Sequence, residues 1–172
     1  MRLFFLALLS CFFFFSSNAK GQIITNIDLK EVNNIGTYRA FNSVVKFDIV
    51  VETTSVGSSG TIHNSKFKRI RITAPTNKGE QVFLLFEKDA EQFSKDIGIL
   101  IELKKKYAQE SKEYIELSTT SKDGLKLGFF QKVQQQTDFI FANKEMLIPS
   151  TKEDFALIKS LLEECIKALS QK

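Results

Sequence analysis

Apolar and polar residues alternate along several stretches of the chain, and this period of two predicts β-strands. The clearest example is Val45, Phe47 and Ile49, which alternate with the charged residues Lys46 and Asp48. Alternation or a short apolar run predicts strands at residues 44–53, 67–73, 81–87, 113–119, 125–132, 138–142 and 146–148. Residues 82–86 are apolar on both faces, which predicts a strand in the centre of a sheet.

Apolar residues recur at helical spacing near the end of the chain. Phe155, Ile158 and Leu162 begin a stripe that continues to residue 169. Before the stripe, Ser150 and Glu153 have the spacing of a capping box, in which each side chain binds a free backbone N–H. A helix is therefore predicted at residues 152–169.

A second amphipathic helix is predicted at residues 89–107. Asp89 is the predicted N-terminal cap, with Gln92 three residues further on. Residues 104–106 are three lysines, and we expect them in the last turns, where cations favour the negative end of the helix dipole. Gly98 lies inside this helix, and we expect it to permit close packing against a neighbour.

Three connections are predicted from turn residues. Asp123-Gly124 supplies the positive φ angles of a tight hairpin turn. A second turn is predicted at residues 75–80, and the Ser/Gly-rich residues 55–64 are predicted to be a flexible loop. The apolar residues of 22–39 fit neither period, so we expect a short strand or an irregular segment there.

These elements predict an α+β fold, because strand meanders alternate with single helices. We expect one antiparallel sheet of about six to seven strands with the two amphipathic helices packed on it, all within a single domain at residues 22–172. A sequence echo at an offset of 62 residues aligns residues 84–86 with 146–148 and Phe93 with Phe155. It suggests two pseudo-repeated halves, each ending in a helix.

The layout of residues 83–169 supports a resemblance. It comprises the predicted helix 89–107, the strand 113–119, the hairpin arm 122–129 (KDGLKLGF) and the helix 152–169. In these features the chain resembles a group of small exported proteins of uncharacterised function from Gram-negative bacteria. The resemblance implies export and a bacterial source, and it brings no activity with it.

Residues 1–21 have the pattern of a cleaved secretory signal peptide. Arg2 precedes an apolar run, and the small residues Ala19 and Gly21 follow it. We expect cleavage after Gly21, with cleavage after Ala19 as the alternative. The apolar run is shorter than the roughly 20 residues that span a bilayer. A lipid-modified Cys11 is less favoured, because too little apolar core would precede it.

Removal of this segment changes the charge. Arg2 and Lys20 are lost with it, so the net charge falls from +4 to +2, and we expect no nucleic-acid partner. The mature chain then has Cys165 as its one cysteine, which excludes an intramolecular disulfide. Because Cys165 lies on the apolar stripe, we expect a packing role for it.

No motif for catalysis, a cofactor or a metal is recognisable, so we expect a protein that is not an enzyme. His63 is the only histidine and lies in the predicted loop without a nucleophile motif around it. The acidic pair 153–154 is typical of a helix N-terminus, and Glu163-Glu164 is typical of a solvated helix face.

The densest basic cluster comprises Lys66, Lys68, Arg69 and Arg71. These residues are the candidate contacts for an anionic surface, although charges of this kind more often protect a strand against edge-to-edge aggregation. Besides Phe47 and Phe67, six phenylalanines lie on predicted strands: Phe83, Phe86, Phe129, Phe130, Phe139 and Phe141. They indicate an aromatic core or, alternatively, an apolar ligand pocket.

From these observations we expect an exported, non-enzymatic domain that binds or scaffolds a partner in the periplasm or outside the cell. The alternative is a carrier or sensor of a small apolar ligand held between sheet and helices. A hydrolase built on two facing carboxylates is the third hypothesis.

Overall fold

The computed structural model describes residues 25–40, 43–58, 61–108, 110, 113–132, 135–142, 145–147 and 154–171. The predicted signal peptide, Cys11 and the Ser150/Glu153 capping box lie outside the described residues. The strands are β1 Thr25–Ala40, β2 Ser43–Ser58, β3 Thr61–Thr76, β4 Gly79–Leu85, β5 Tyr114–Thr120, β6 Lys126–Lys132, β7 Gln135–Ala142 and β8 Glu145–Leu147. The helices are α1 Glu87–Tyr107 and α2 Asp154–Ser170.

The α+β class with antiparallel sheets and two helices is confirmed. The strands form two sheets, in the orders β1-β2-β3-β4 and β5-β6-β7-β8. Each sheet is followed along the chain by one helix, so the two halves share one order of elements. The residues aligned by the sequence echo have the same burial in the two helices. Phe93 and Phe155 are both buried, and so are Leu100 and Leu162.

The described chain divides into two compact units. The first contains residues up to Asp28 together with Thr54–Ser65. Its described residues belong to β1, β2 and β3, and residues 61–65 of β3 are exposed. The second contains Leu29–Thr53 and Lys66–Lys172, and it holds the core and the sites discussed below.

The core of the second unit joins residues of both sheets and both helices. On β2, Val45, Phe47 and Ile49 face this core, as the alternating pattern predicts. On α2, Leu162 and Cys165 are fully buried, which confirms the predicted packing role of the cysteine. Four further aromatic side chains in this core are Phe83, Phe93, Phe129 and Phe155.

The hairpin predicted at Asp123-Gly124 is confirmed. Gly124 has φ +90°, and the Ser121 backbone N–H donates to the Leu125 carbonyl across the turn. The Ser121 hydroxyl also accepts a hydrogen bond from the Leu125 N–H. The turn predicted in 75–80 is present as well, with Gly79 at φ +124°.

Two predictions for the first 64 residues are wrong or incomplete. Residues 25–40 form one long strand, in which Ile35 packs against the core and a Cβ at Gly36 would meet Leu161 of α2. The described parts of the predicted loop, residues 55–58 and 61–64, are strand, because β2 continues to Ser58 and β3 begins at Thr61. β-branched residues such as Val56 and Ile62 suit these paired strands.

Two predictions around the β4–α1 junction are also wrong. β4 is the edge strand of its sheet, and its outward-facing Val82 is 45% exposed, so an apolar run on both faces does not require a central position here. Asp89 does not cap α1, because the helix begins at Glu87, immediately after Phe86. Asp89 instead forms an ion pair with Lys122.

Candidate binding groove

The predicted basic cluster does not form one free cationic patch. Arg71 donates from Nε and Nη2 to Oδ2 of Asp48, whose other oxygen accepts from Asn34. The Asp48 side chain is only 4% exposed, so its charge is neutralised where water is largely excluded. Arg71 therefore stabilises the sheet from the face opposite the core.

Arg69 has a comparable role one step along the same face. It forms an ion pair with Glu52, which also pairs with Lys30 at 3.2 Å, and its guanidinium lies 5.7 Å from the centre of the Phe86 ring. The hydrogen bond from Lys30 and the charge of Arg69 lower the pKa of Glu52. Both guanidinium groups of the cluster are thus paired within the protein.

Of the two lysines in the cluster, Lys68 also has a structural partner. Its ammonium donates to the carbonyls of Leu169 and Gln171 at 3.2 and 2.8 Å, at the C-terminus of α2. Lys66 is exposed. The register with β4 ends at Ile70, so both lysines lie on a stretch of β3 that lacks β4 as a neighbour. This position suits the protection of a strand edge.

A buried ion pair connects α1 to the second sheet. Lys104 Nζ lies 2.6 Å from Asp138 Oδ2 on β7, and the two side chains are 14% and 3% exposed. The same ammonium lies 5.1 Å from the centre of the Phe155 ring on α2. Lys104 therefore links three elements, whereas its neighbour Lys105 forms an exposed pair with Glu102.

The surroundings of the cysteine, the histidine and the paired glutamates do not indicate catalysis. Burial, followed by the charges of Asp48 and Glu164, raises the pKa of the Cys165 thiol to about 12, so the reactive thiolate is suppressed. His63 lies on the exposed first part of β3. Glu163 and Glu164 are exposed on α2, as predicted for a solvated face.

Within the described ranges, no three side chains of His, Cys, Asp or Glu converge as metal ligands. Across the same ranges, no helix has the length and apolar character to cross a membrane.

The predicted aromatic core is only partly formed by the six strand phenylalanines. Phe83, Phe129 and Phe139 are buried, but Phe86 is 50% exposed and Phe130 is half-buried. The side chain of Phe141 lies outside the described part of the structure. Three of the six strand phenylalanines are therefore buried.

An open groove of about 200 Å³ lies between α1 and β5. The apolar side chains that line it are Ile99, Leu100, Leu103 and Leu117. Ile99 is 59% exposed, so its side chain is open to solvent beside the groove. Leu117 comes from β5, where residues 115, 117 and 119 are half-buried and alternate with exposed neighbours.

The strand beside this groove is a sheet edge. Among the described strands, β5 has β6 as its sheet neighbour on one side and no strand on the other. Such an edge presents unpaired backbone N–H and C=O groups, which can hydrogen-bond an added strand. The groove therefore combines backbone hydrogen-bonding capacity with a row of apolar side chains.

The β4 edge of the other sheet is different. Asp123, in the β5–β6 turn, accepts a hydrogen bond from the backbone N–H of Leu84 at 2.8 Å. A side chain from the other half thus occupies one donor of that edge, and Lys122 in the same turn pairs with Asp89. On the described part of β5, no side chain from another element binds the backbone in this way.

One end of the groove is acidic. Asp96 is the one charged side chain among the described residues that line it. Its carboxylate accepts hydrogen bonds from Gln92 at 2.9 Å and, at a long 3.5 Å, from the Thr119 hydroxyl. Within the described chain, no lysine or arginine pairs with Asp96. The groove thus has an apolar centre and a negative end.

The sequence pattern did not single out this site. The alternation in residues 113–119 correctly predicts a strand, but an edge strand and an inner strand have the same alternation. Ile99 broadens the apolar stripe of α1, and the pattern assigns it to the core. Only the order of strands shows that Ile99 borders an unpaired edge.

Searches with family models, curated proteins and solved structures found no match to this chain.

Proposed function

We propose that this protein is a non-enzymatic binding module that binds an extended polypeptide segment as an added strand along β5. The single observation that carries the proposal is the unpaired β5 edge beside the apolar groove. In binding by strand addition, backbone hydrogen bonds provide affinity, and pockets for alternate side chains provide specificity. The half-buried positions 115, 117 and 119 supply that alternation.

We also propose that the protein acts after export, in the periplasm or outside a bacterial cell. The support is the signal-peptide pattern of residues 1–21, together with a mature chain whose one cysteine is buried and needs no partner. The partner we propose is therefore an extended segment of another exported protein.

A small apolar ligand is the second candidate for the groove. Its support is the same set of apolar side chains, but pockets for such ligands usually enclose about 300–1,000 Å³. The groove is smaller, at about 200 Å³, and it is open to solvent. An extended chain fits an open groove beside a sheet edge better than an enclosed ligand does.

The test is a selection from a library of random seven-residue peptides on immobilised mature protein. Two helix variants control it: Ile99→Glu places a charge in the groove, whereas Leu157→Glu alters α2 at a residue that is similarly exposed. We expect selected peptides to bind the wild type and Leu157→Glu equally and Ile99→Glu at least tenfold more weakly. No enrichment, or equal binding to both variants, would contradict the proposal.

A further inference from the structure

The charge distribution of the groove identifies the kind of segment that it would bind. We infer that the β5 groove selects an extended segment with a basic residue near its N-terminal end, followed at alternate positions by apolar residues. This inference rests on the proposed function and specifies the chemistry of its partner.

The direction of the added strand follows from general strand energetics. Antiparallel pairing is slightly more stable per residue than parallel pairing. A segment that runs antiparallel to β5 places its N-terminal part beside the C-terminal part of β5, where Thr119 lies. The residue of the segment opposite Thr119 then has its side chain at the Asp96 end of the groove.

The required residue types follow from the lining. Opposite Thr119, the segment meets the carboxylate of Asp96, which has hydrogen-bond donors but no cation among the described residues. A lysine or arginine supplies that missing charge. Two residues further on, the segment faces Leu117, with Leu103 and Ile99 from α1. Because side chains alternate with a period of two along a strand, an apolar residue suits this second position and the next alternate one.

Acidic residues at the first position would be excluded by the same geometry. A glutamate there would stand beside Asp96 without a counter-ion, and like charges at this separation are mutually destabilising. The groove would therefore discriminate by charge at one end and by hydrophobicity along its centre. Discrimination of this kind combines an attractive contact with a repulsive one.

The experiment uses three acetylated and amidated peptides that differ at one position: Thr-Lys-Thr-Val-Thr-Val-Thr and the same peptide with Ala or Glu in place of Lys. Fluorescence anisotropy with the mature protein gives each Kd at low salt. We expect the Lys peptide to bind about fivefold more tightly than the Ala peptide, as for a partly exposed ion pair, and the Glu peptide to bind most weakly. Raising the salt to 0.5 M should reduce these differences.

Variants at Asp96 test the assigned contact. Asp96→Asn should abolish the preference for Lys while leaving the affinity for the Ala peptide unchanged, and Asp96→Lys should reverse the order of the Lys and Glu peptides. Circular dichroism and thermal melting confirm that both variants are folded.

The outcomes separate the two proposals. If the library yields peptides whose binding depends on Ile99, but the three synthetic peptides bind equally or not at all, the charge inference is wrong and the binding function stands. If the library yields none, the function itself fails. Dimerisation of the protein through β5, visible as concentration-dependent sedimentation that Ile99→Glu abolishes, would identify a second copy as the occupant and overturn the inference.

Discussion

Neutralising one member of the buried pair between Lys104 and Asp138 should destabilise the protein strongly. Lys104→Met keeps most of the aliphatic stem and removes the ammonium, and Asp138→Asn keeps the shape and removes the carboxylate charge. Either change removes one charge of this pair and keeps the opposite charge between α1 and β7. The double variant removes both charges of the pair.

The geometry sets the magnitude. Nζ and Oδ2 are 2.6 Å apart, and their side chains are 14% and 3% exposed. With an effective dielectric constant of about 20, the gross attraction is about 6 kcal/mol, and the desolvation of both ions offsets much of it. Removing one partner of such a pair costs about 3–5 kcal/mol, because the remaining charge stays buried. The double variant should cost less than the two single changes together, with a coupling energy of about 1–3 kcal/mol.

Urea unfolding of the protein without residues 1–21 at pH 7, followed by circular dichroism, measures these differences. Lys105→Met is the matched control, since Lys105 is the next residue on the same helix and its pair with Glu102 is exposed on both sides. We expect this control to change the free energy of unfolding by less than about 0.5 kcal/mol. The reasoning is refuted if Lys104→Met matches Lys105→Met, or if the single changes at 104 and 138 are additive.

Four further predictions test local features of the structure. Gly98→Ala should raise the free energy of unfolding by up to about 1 kcal/mol, because the new Cβ would meet only a lysine Cε at 3.5 Å. Gly128→Ala should lower it by roughly 1–3 kcal/mol, because its Cβ would collide with a carbonyl oxygen at 2.5 Å; thermal melting that ranks the two variants the other way would contradict both. Lys30→Met should raise the pKa of Glu52 towards its ordinary value in an NMR titration. Because the pKa of Glu52 is lowered in the folded protein, the ionised carboxylate stabilises the fold at neutral pH. This stabilisation is lost as the pH falls through the lowered pKa. Cys165 should react with a thiol reagent at pH 8 only after denaturant is added, and fast labelling of the folded protein would show that the thiol is not buried as described.

Periodicity predicted the elements that bury one face against the core. The strand around Phe47 and the helix around Leu162 were found because burial on one side imposes a regular spacing. Gly98 lay inside the predicted helix, but the expected close packing is not required there, since a Cβ would make only ordinary contact. Local patterns thus predicted the strands and helices but not which side chains pack against each of them.

Long-range pairing is what the patterns could not predict. Three consecutive lysines at 104–106 look alike in the sequence, and only the fold brings the first of them to Asp138. The apolar run of β4 predicted a central strand, but the order of strands places it at an edge. The binding groove was missed for the same reason, because the edge position of β5 depends on which strands pair and not on its own residues.

Hydrogen exchange at the backbone amides of β5 tests the central claim most directly. In the protein without residues 1–21 and without peptide, alternate amides of residues 114–120 should exchange quickly, because that edge has no partner strand among the described residues. A peptide selected from the library should slow these amides and leave those of β4 unchanged. Bound peptide with unchanged exchange along β5 would contradict binding by strand addition.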